Sequence, residues 1–243
     1  MFLSAILVVA WMFSAGCKKE DDNSDPAPPA GTVTDIDGNV YHTVTIGTQV
    51  WMVENLRTTR YNDGAAIPLV TDGAAWSALA TAGFCWFNND AAKYKNTYGA
   101  LYNWQAVNTG KLAPAGWHVP TDAEWTVLTT HLGGEILAGG KMKSTGTIEG
   151  GTGLWYSPNA GATNESGFTA VPAGERDNNG TFNPIGFYGT CWSSTESFAG
   201  YAWQRRMVYD GTGATAAYSG MNYGFSVRCV RDLPVQKSNI KVL

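Results

Sequence analysis

Gly116-Trp117-His118-Val119-Pro120-Thr121-Asp122-Ala123-Glu124-Trp125 is the stretch on which the reading of the fold turns. Thr121 and Glu124 have the spacing of a capping box. The threonine hydroxyl can accept from the Glu124 amide while the Glu124 carboxylate accepts from the Thr121 amide. Pro120 precedes the cap and cannot continue a helix backwards. Trp125, Leu128 and Leu132 follow at spacings of three and four, the apolar stripe of a helix packed on a core. Gly133-Gly134 supplies the stop. Glu124 is thus explained as a cap rather than a general base. Trp117 and Trp125 are expected in the core, with their indole N–H groups on backbone carbonyls. His118 is expected to be a buried, hydrogen-bonded side chain, since no Ser or Cys nucleophile is paired with it.

Upstream, Tyr98–Asn108 (YGALYNWQAVN) places apolar residues near one helical face and ends at Gly110, which predicts a second helix. Asp37-Gly38-Asn39 is a turn signal between Thr32–Ile36 and Val40–Ile46, and Gly47-Thr48 leads into Val50-Trp51-Met52-Val53. Together these predict a meander. From Gly139 onward the chain is rich in Gly, Ser, Thr and Asn. Candidate strands there are Gly189–Ser194, Ala202–Tyr209 and Phe225–Arg231. Helices in the first half and short strands with long loops in the second predict an α+β domain. There is no βαβ alternation, no glycine-rich phosphate loop and no internal repeat.

Residues 31–233 suit one domain, with 234–243 as a C-terminal tail. Ten Trp, eleven Tyr and 29 Gly imply an aromatic, turn-rich fold, and the net charge is −4. No basic face with interleaved aromatics is present, which argues against nucleic acid as a partner. Apart from Cys17, the cysteines are Cys85, Cys191 and Cys229, none in CxxC spacing, and the histidines are scattered. Neither a metal site nor a cofactor is expected.

Residues 1–16 (MFLSAILVVAWMFSAG) are uncharged and almost all apolar or small, too short to span a bilayer comfortably. Ser14-Ala15-Gly16-Cys17 reads as the cleavage site of a bacterial lipoprotein signal peptide, with Cys17 as the acylated residue; an uncleaved anchor or an ordinary secretory signal is the alternative. Residues 17–30 are acidic and Pro-rich, the composition of a disordered tether. Lys18-Lys19-Glu20-Asp21-Asp22 resembles the surface-export signal of Bacteroidota-type lipoproteins. The expected location is the outer membrane, held by lipid on Cys17 and facing the cell surface, or else the periplasm.

DIDGNVYHTVTIGTQVWMVENLR (35–57), YGALYNW (98–104), GWHVPTDAEW (116–125), NESGFTAVPAGER (164–176), WSSTE (192–196) and GFSVRCVRD (224–232), taken together and in this order, resemble the Fibrobacter succinogenes major paralogous domain family. The domain is also distantly similar to the formylglycine-generating enzymes, through Pro120, Thr121, Glu124 and Trp125 and through the C-terminal strand. That similarity implies a C-type-lectin-like fold, with two helices, small twisted antiparallel sheets and long irregular loops. Those enzymes use two nearby C-terminal cysteines to bind copper, whereas Cys191 and Cys229 lie 38 residues apart. Enzyme activity is therefore not expected to follow from the fold. Glu165, Glu175 and Glu196 sit in expected surface loops, and no carboxylate pair stands out.

Location, implied fold and aromatic content point to a non-enzymatic binding or adhesion role, with a glycan as the possible ligand. The candidate contacts are Trp86, Asn88, Asn89 and Asp90 in one loop, and Trp203, Arg205, Tyr209 and Tyr223 in the C-terminal region. For each aromatic the competing role is core packing. The calcium motifs of sugar-binding C-type lectins, such as Glu-Pro-Asn, are absent. The alternative function is a structural or assembly module of the envelope, with an envelope protein as partner. Arg228 and Arg231 are candidates for ion pairs on a strand face. Family members commonly carry Cys where this chain has Ala113, and an aromatic residue where it has Cys191. That departure implies a Cys191–Cys229 disulfide, closing a loop worth roughly 3–4 kcal/mol and needing Cα atoms within about 7 Å. Three free buried thiols, or a pair involving Cys85, are the alternatives.

Overall fold

The computed structural model describes residues 31–232. The segments read as signal peptide, tether and C-terminal tail, together with Cys17 and residue 233, lie outside the described residues. In chain order the strands are β1 (Thr32–Thr34), β2 (Val40–Ile46), β3 (Gln49–Met52), β4 (Phe84–Cys85), β5 (Leu101–Tyr102), β6 (Glu175–Arg176), β7 (Phe182–Asn183), β8 (Tyr188–Phe198), β9 (Tyr201–Val208), β10 (Thr215–Gly220) and β11 (Val230–Asp232). The α-helices are α1 (Gly73–Ser77), α2 (Ala91–Tyr98), α3 (Trp104–Val107), α4 (Asp122–His131) and α5 (Glu135–Met142). The fold is α+β. An antiparallel sheet β1-β2-β3-β11 brings the two ends of the domain together, because Asp232 pairs with Gln49. A second antiparallel sheet, β10-β9-β8, carries the longest strands.

The expected turns are present at Gly38 and Gly47, both at positive φ. Tyr41 and Thr43 point inward along β2 while His42 is exposed. The α4 capping box forms as read: Thr121 Oγ1 accepts from the Glu124 amide at 3.2 Å, and Glu124 Oε2 accepts from the Thr121 amide at 2.7 Å. The stripe below it is buried. Trp125 meets Trp51 at 4.7 Å between ring centroids and Phe168 at 6.0 Å, and its indole N–H reaches the Trp192 carbonyl at 3.4 Å. His118 differs from expectation, being half-exposed, with Nε2 2.5 Å from Glu124 Oε1.

The expected helix over 98–108 is broken. Gly99 sits at φ +76 with its Cα against Asn55, and a Cβ there would lie 2.7 Å from that side chain. Leu101 and Tyr102 are instead drawn into pairing with Cys85 and Phe84, so helix resumes only at Trp104, capped by Asn103. Three further helices, α1, α2 and α5, were not expected. The expected C-terminal strand shortens to Val230–Asp232, because residues 225–226 make single bridges to Tyr102 and Cys191.

Long loops carry many backbone carbonyls that must find donors when buried. Three arginines, Arg176, Arg205 and Arg228, each 1 % exposed, supply several. Arg176 donates to the carbonyls of Gly180, Val70 and Thr71, and lies 4.6 Å over the Trp76 ring. Arg228 donates to Phe168 O, Thr169 O and Asn55 Oδ1 rather than to a strand-face carboxylate. Arg231, by contrast exposed, lies over the buried Trp117 ring at 5.1 Å.

The structure carries Cys85, Cys191 and Cys229 as free, buried thiols, and the Cys191–Cys229 bond is not formed. Cys191 bridges to Ser226, and Cys229 lies three residues further on, about 10 Å along an extended chain. The two side chains enter separate core clusters, Cys191 the one that includes Trp125 and Met207 and Cys229 the one that includes Trp192 and Val227. Burial pushes the Cys191 thiol up to about 11 and the Cys85 thiol to about 12.

Candidate functional site

The two groups of residues singled out in the sequence separate in the structure. Trp86 is core, edge-on to Phe84 at 5.4 Å, with the Lys95 ammonium 5.5 Å from its ring centroid. Its polar neighbours shape the turn. Asn88 is exposed at φ 49, Asn89 Nδ2 donates to Thr71 O, and Asp90 caps α2 by accepting from the Lys93 amide. Arg205 is buried and engaged by Asp122 at 2.5 Å and by Thr126 Oγ1, so it clamps the start of α4 to β9. Tyr209 packs on the core, edge-on to Phe187 at 5.3 Å. Glu175, expected in a surface loop, is 4 % exposed within β6.

Trp203 and Tyr223 remain, and the structure brings them near other aromatics. Strand β8 turns into β9 through Ala199-Gly200, with Phe198 paired to Tyr201. Along β9, Tyr201 and Trp203 alternate onto one face, and Tyr218 of β10 stands directly opposite Trp203. The Phe198 and Tyr201 rings stack at 4.6 Å. Tyr218 lies edge-on to Phe198 at 5.0 Å and to Trp203 at 6.0 Å. These contacts do not bury them: Phe198 is 49 % exposed, Tyr201 41 % and Tyr218 53 %.

A groove of about 350 Å³ adjoins this ridge, lined by Asn178, Tyr201, Tyr218, Ser219, Asn222 and Tyr223. Asn222 Nδ2 holds Ser77 O and Asn178 O only at 3.5 Å and 3.4 Å, so its amide can turn to another acceptor. Tyr223 stacks inward on Phe225 at 5.5 Å. Its phenol is raised above the ordinary value by burial and by the nearby Asp177 and Glu175 charges. Rigid ring faces beside a few amide and hydroxyl groups suit a ligand with apolar faces and polar edges.

A second hollow of about 370 Å³, between the β2–β3 turn and α4, is lined by Gly47, Thr48, Thr126, Val127, Thr130 and His131. It offers one imidazole and no aromatic platform comparable to the ridge. Among the described residues no group of three or more His, Cys, Asp or Glu side chains converges as a metal site. No described helix is long and apolar enough to cross a membrane.

Sequence reading missed Phe198, Tyr201, Tyr218, Asn178 and Asn222. One signal was available: a two-residue Ala-Gly loop flanked on both sides by aromatics marks a hairpin tip whose rings must meet. No curated protein and no solved structure matches the chain. The family model of the Fibrobacter succinogenes major domain matches residues 44–231, more than three quarters of the chain, from within β2 to within β11. The chain belongs to the Fibrobacter succinogenes major domain family.

Proposed function

We propose that this protein is a non-enzymatic binding module of the cell envelope, lipid-anchored through Cys17 and displayed at the surface, with a glycan as its ligand. The observation that carries the reading is the Phe198–Tyr201–Trp203–Tyr218 ridge. Its rings are held by one another, yet three of them stay at least two-fifths exposed beside a groove with asparagine and serine side chains. Water-exposed aromatic area of this kind is unfavourable unless something covers it. Sugar rings have apolar C–H faces for such platforms and hydroxyl edges for Asn178, Asn222 and Ser219. In this reading the domain has a C-type-lectin-like arrangement, with the ligand taken at the β8–β9 hairpin end. The lipid anchor rests on the sequence of residues 1–17.

A glycan array probed with the wild-type protein and with Tyr218→Ala tests the reading. Reproducible hits that Tyr218→Ala abolishes support it. A blank array, or hits indifferent to Tyr218, overturns it. The alternative of an envelope assembly module draws on the exposed Val127, Ile136 and Leu137 of α4 and α5, of which Ile136 is 77 % exposed. It would be favoured by a blank array together with an envelope protein whose co-purification requires Ile136.

A further inference from the structure

The outward face of α4 lacks the charges that a water-facing helix normally carries. Ala123, Thr126, Val127, Thr130 and His131 are exposed along it, and no Asp, Glu, Lys or Arg stands between Trp125 and Leu132. Val127 is 47 % exposed. Val127, Thr130 and His131 fall at i, i+3 and i+4, so they share one stripe. That stripe walls the second hollow, across from Gly47 and Thr48, and the surface presented there is chiefly apolar. The turn and the helix are in contact beside it: a Cβ on Gly47 would lie 3.1 Å from His131 Nδ1.

The course of β11 leads to the same place. It runs antiparallel to β3, with Val230 opposite Trp51, Arg231 opposite Val50 and Asp232 opposite Gln49. Val230 and Trp51 share a core cluster with Trp125 of α4, and the Gln49 side-chain amide donates to Glu124 O at 3.2 Å. Strand β11 therefore heads along β3 towards Thr48 and Gly47, on a sheet that packs against α4. The chain beyond Asp232 starts at the rim of the hollow. Its sequence is LPVQKSNIKVL (233–243). Leu233, Pro234, Val235, Ile240, Val242 and Leu243 are apolar, and Pro234 has no N–H to donate to a ladder. The charged side chains of the segment are two lysines, in a chain whose net charge is −4.

We infer that the hollow is the docking site of the chain's own C-terminal segment, with Leu233, Pro234 and Val235 laid across Thr48 and Val127 as a clasp over α4 and the β2–β3 turn. A segment tethered at the rim reaches the hollow at an effective concentration that a separate partner lacks. Removing Val127 and the segment's aliphatic side chains from water supplies the driving force. The clasp ties the β3–β11 pairing, where the two ends of the domain meet, to the capped helix. It is independent of the glycan reading.

The test replaces Val127 by the photoreactive residue p-benzoylphenylalanine in the full chain, irradiates the protein and maps the adducts by mass spectrometry. The expected product is a crosslink within one chain, from position 127 to residues 233–243. An adduct joining two copies, an adduct with another protein, or no adduct to residues 233–243 overturns the inference. A second measurement reads the coupling between the two partners. Val and Ser have similar helix propensities, so Val127→Ser reports on packing. In the full chain it should lower the melting temperature by about 2–4 °C, and in a chain stopped after Asp232 by less than about 1 °C. Equal shifts in the two backgrounds overturn the inference as well. The crosslink needs no truncation, so it decides the matter even if the shortened chain fails to fold.

Discussion

Two aromatic clusters in this domain have similar chemistry and opposite surroundings. Trp51, Trp125 and Phe168 meet at 4.7–6.0 Å with none of their surface exposed. Phe198, Tyr201, Trp203 and Tyr218 meet at 4.6–6.1 Å with much of theirs in water. The first cluster lies under the capped helix α4, closed by β3 and by the segment containing Phe168. The second lies at the tip of the β8–β9 hairpin, where no element crosses over. Ring-to-ring geometry does not distinguish a core from a binding face. What covers the rings does, and that is set by long-range topology.

The widest gap between the clusters should be in stability. Trp125→Ala removes a fully buried indole and should cost about 3–5 kcal/mol, which a denaturant melt would read. A cost below about 1 kcal/mol would mean that the cluster under α4 is not the centre of the core. Next in size is Arg228→Leu, which strands Phe168 O, Thr169 O and Asn55 Oδ1 beneath that cluster; about 2–4 kcal/mol is expected in the same assay. Thr121→Ala should cost about 1 kcal/mol through loss of the α4 cap.

A smaller effect concerns acid. Burial would push Asp37 up, but the Thr59 amide, the Arg60 guanidinium and the Thr59 and Thr58 hydroxyls outweigh it and hold the carboxyl at about 2. Its unfolded value is about 3.9. The folded value is the depressed one, so the stability contribution is complete above about pH 4 and is lost as pH falls through about 2. Asp37→Asn should flatten the fall in melting temperature across that window. An unchanged slope would remove Asp37 from the account. Smallest of all is Tyr218→Ala, which should change stability by no more than about 0.5 kcal/mol.

The buried region was also the more legible one. The capping box, the Trp125-Leu128 stripe and the β1–β3 meander follow from local rules that tertiary structure leaves intact. The helix α5 was hidden by Gly139 and Gly140, which weaken helix propensity. Those glycines admit neighbouring backbone: a Cβ on Gly139 would fall 1.9 Å from Gly213 O, and one on Gly140 2.5 Å from Gly161 O. Strand β10 reads as loop in composition and becomes a strand through pairing with β9. At the candidate site, Trp203 and Tyr223 were readable only as candidate contacts, and the structure leaves both half-buried. Arg205 and Trp86 were misplaced, because residue type alone cannot tell a buried clamp or core ring from a contact surface. Tyr201 and Tyr218 lie 17 positions apart in the chain and adjoin only through strand register.

The most direct test is to follow the aromatic and amide NMR resonances of the protein while a binding oligosaccharide is titrated in. The account predicts that shifts gather at Phe198, Tyr201, Trp203, Tyr218 and Tyr223, with Trp51, Trp125 and Phe168 unmoved. Shifts concentrated at the Trp86 loop or along α4, with the hairpin tip silent, would contradict it.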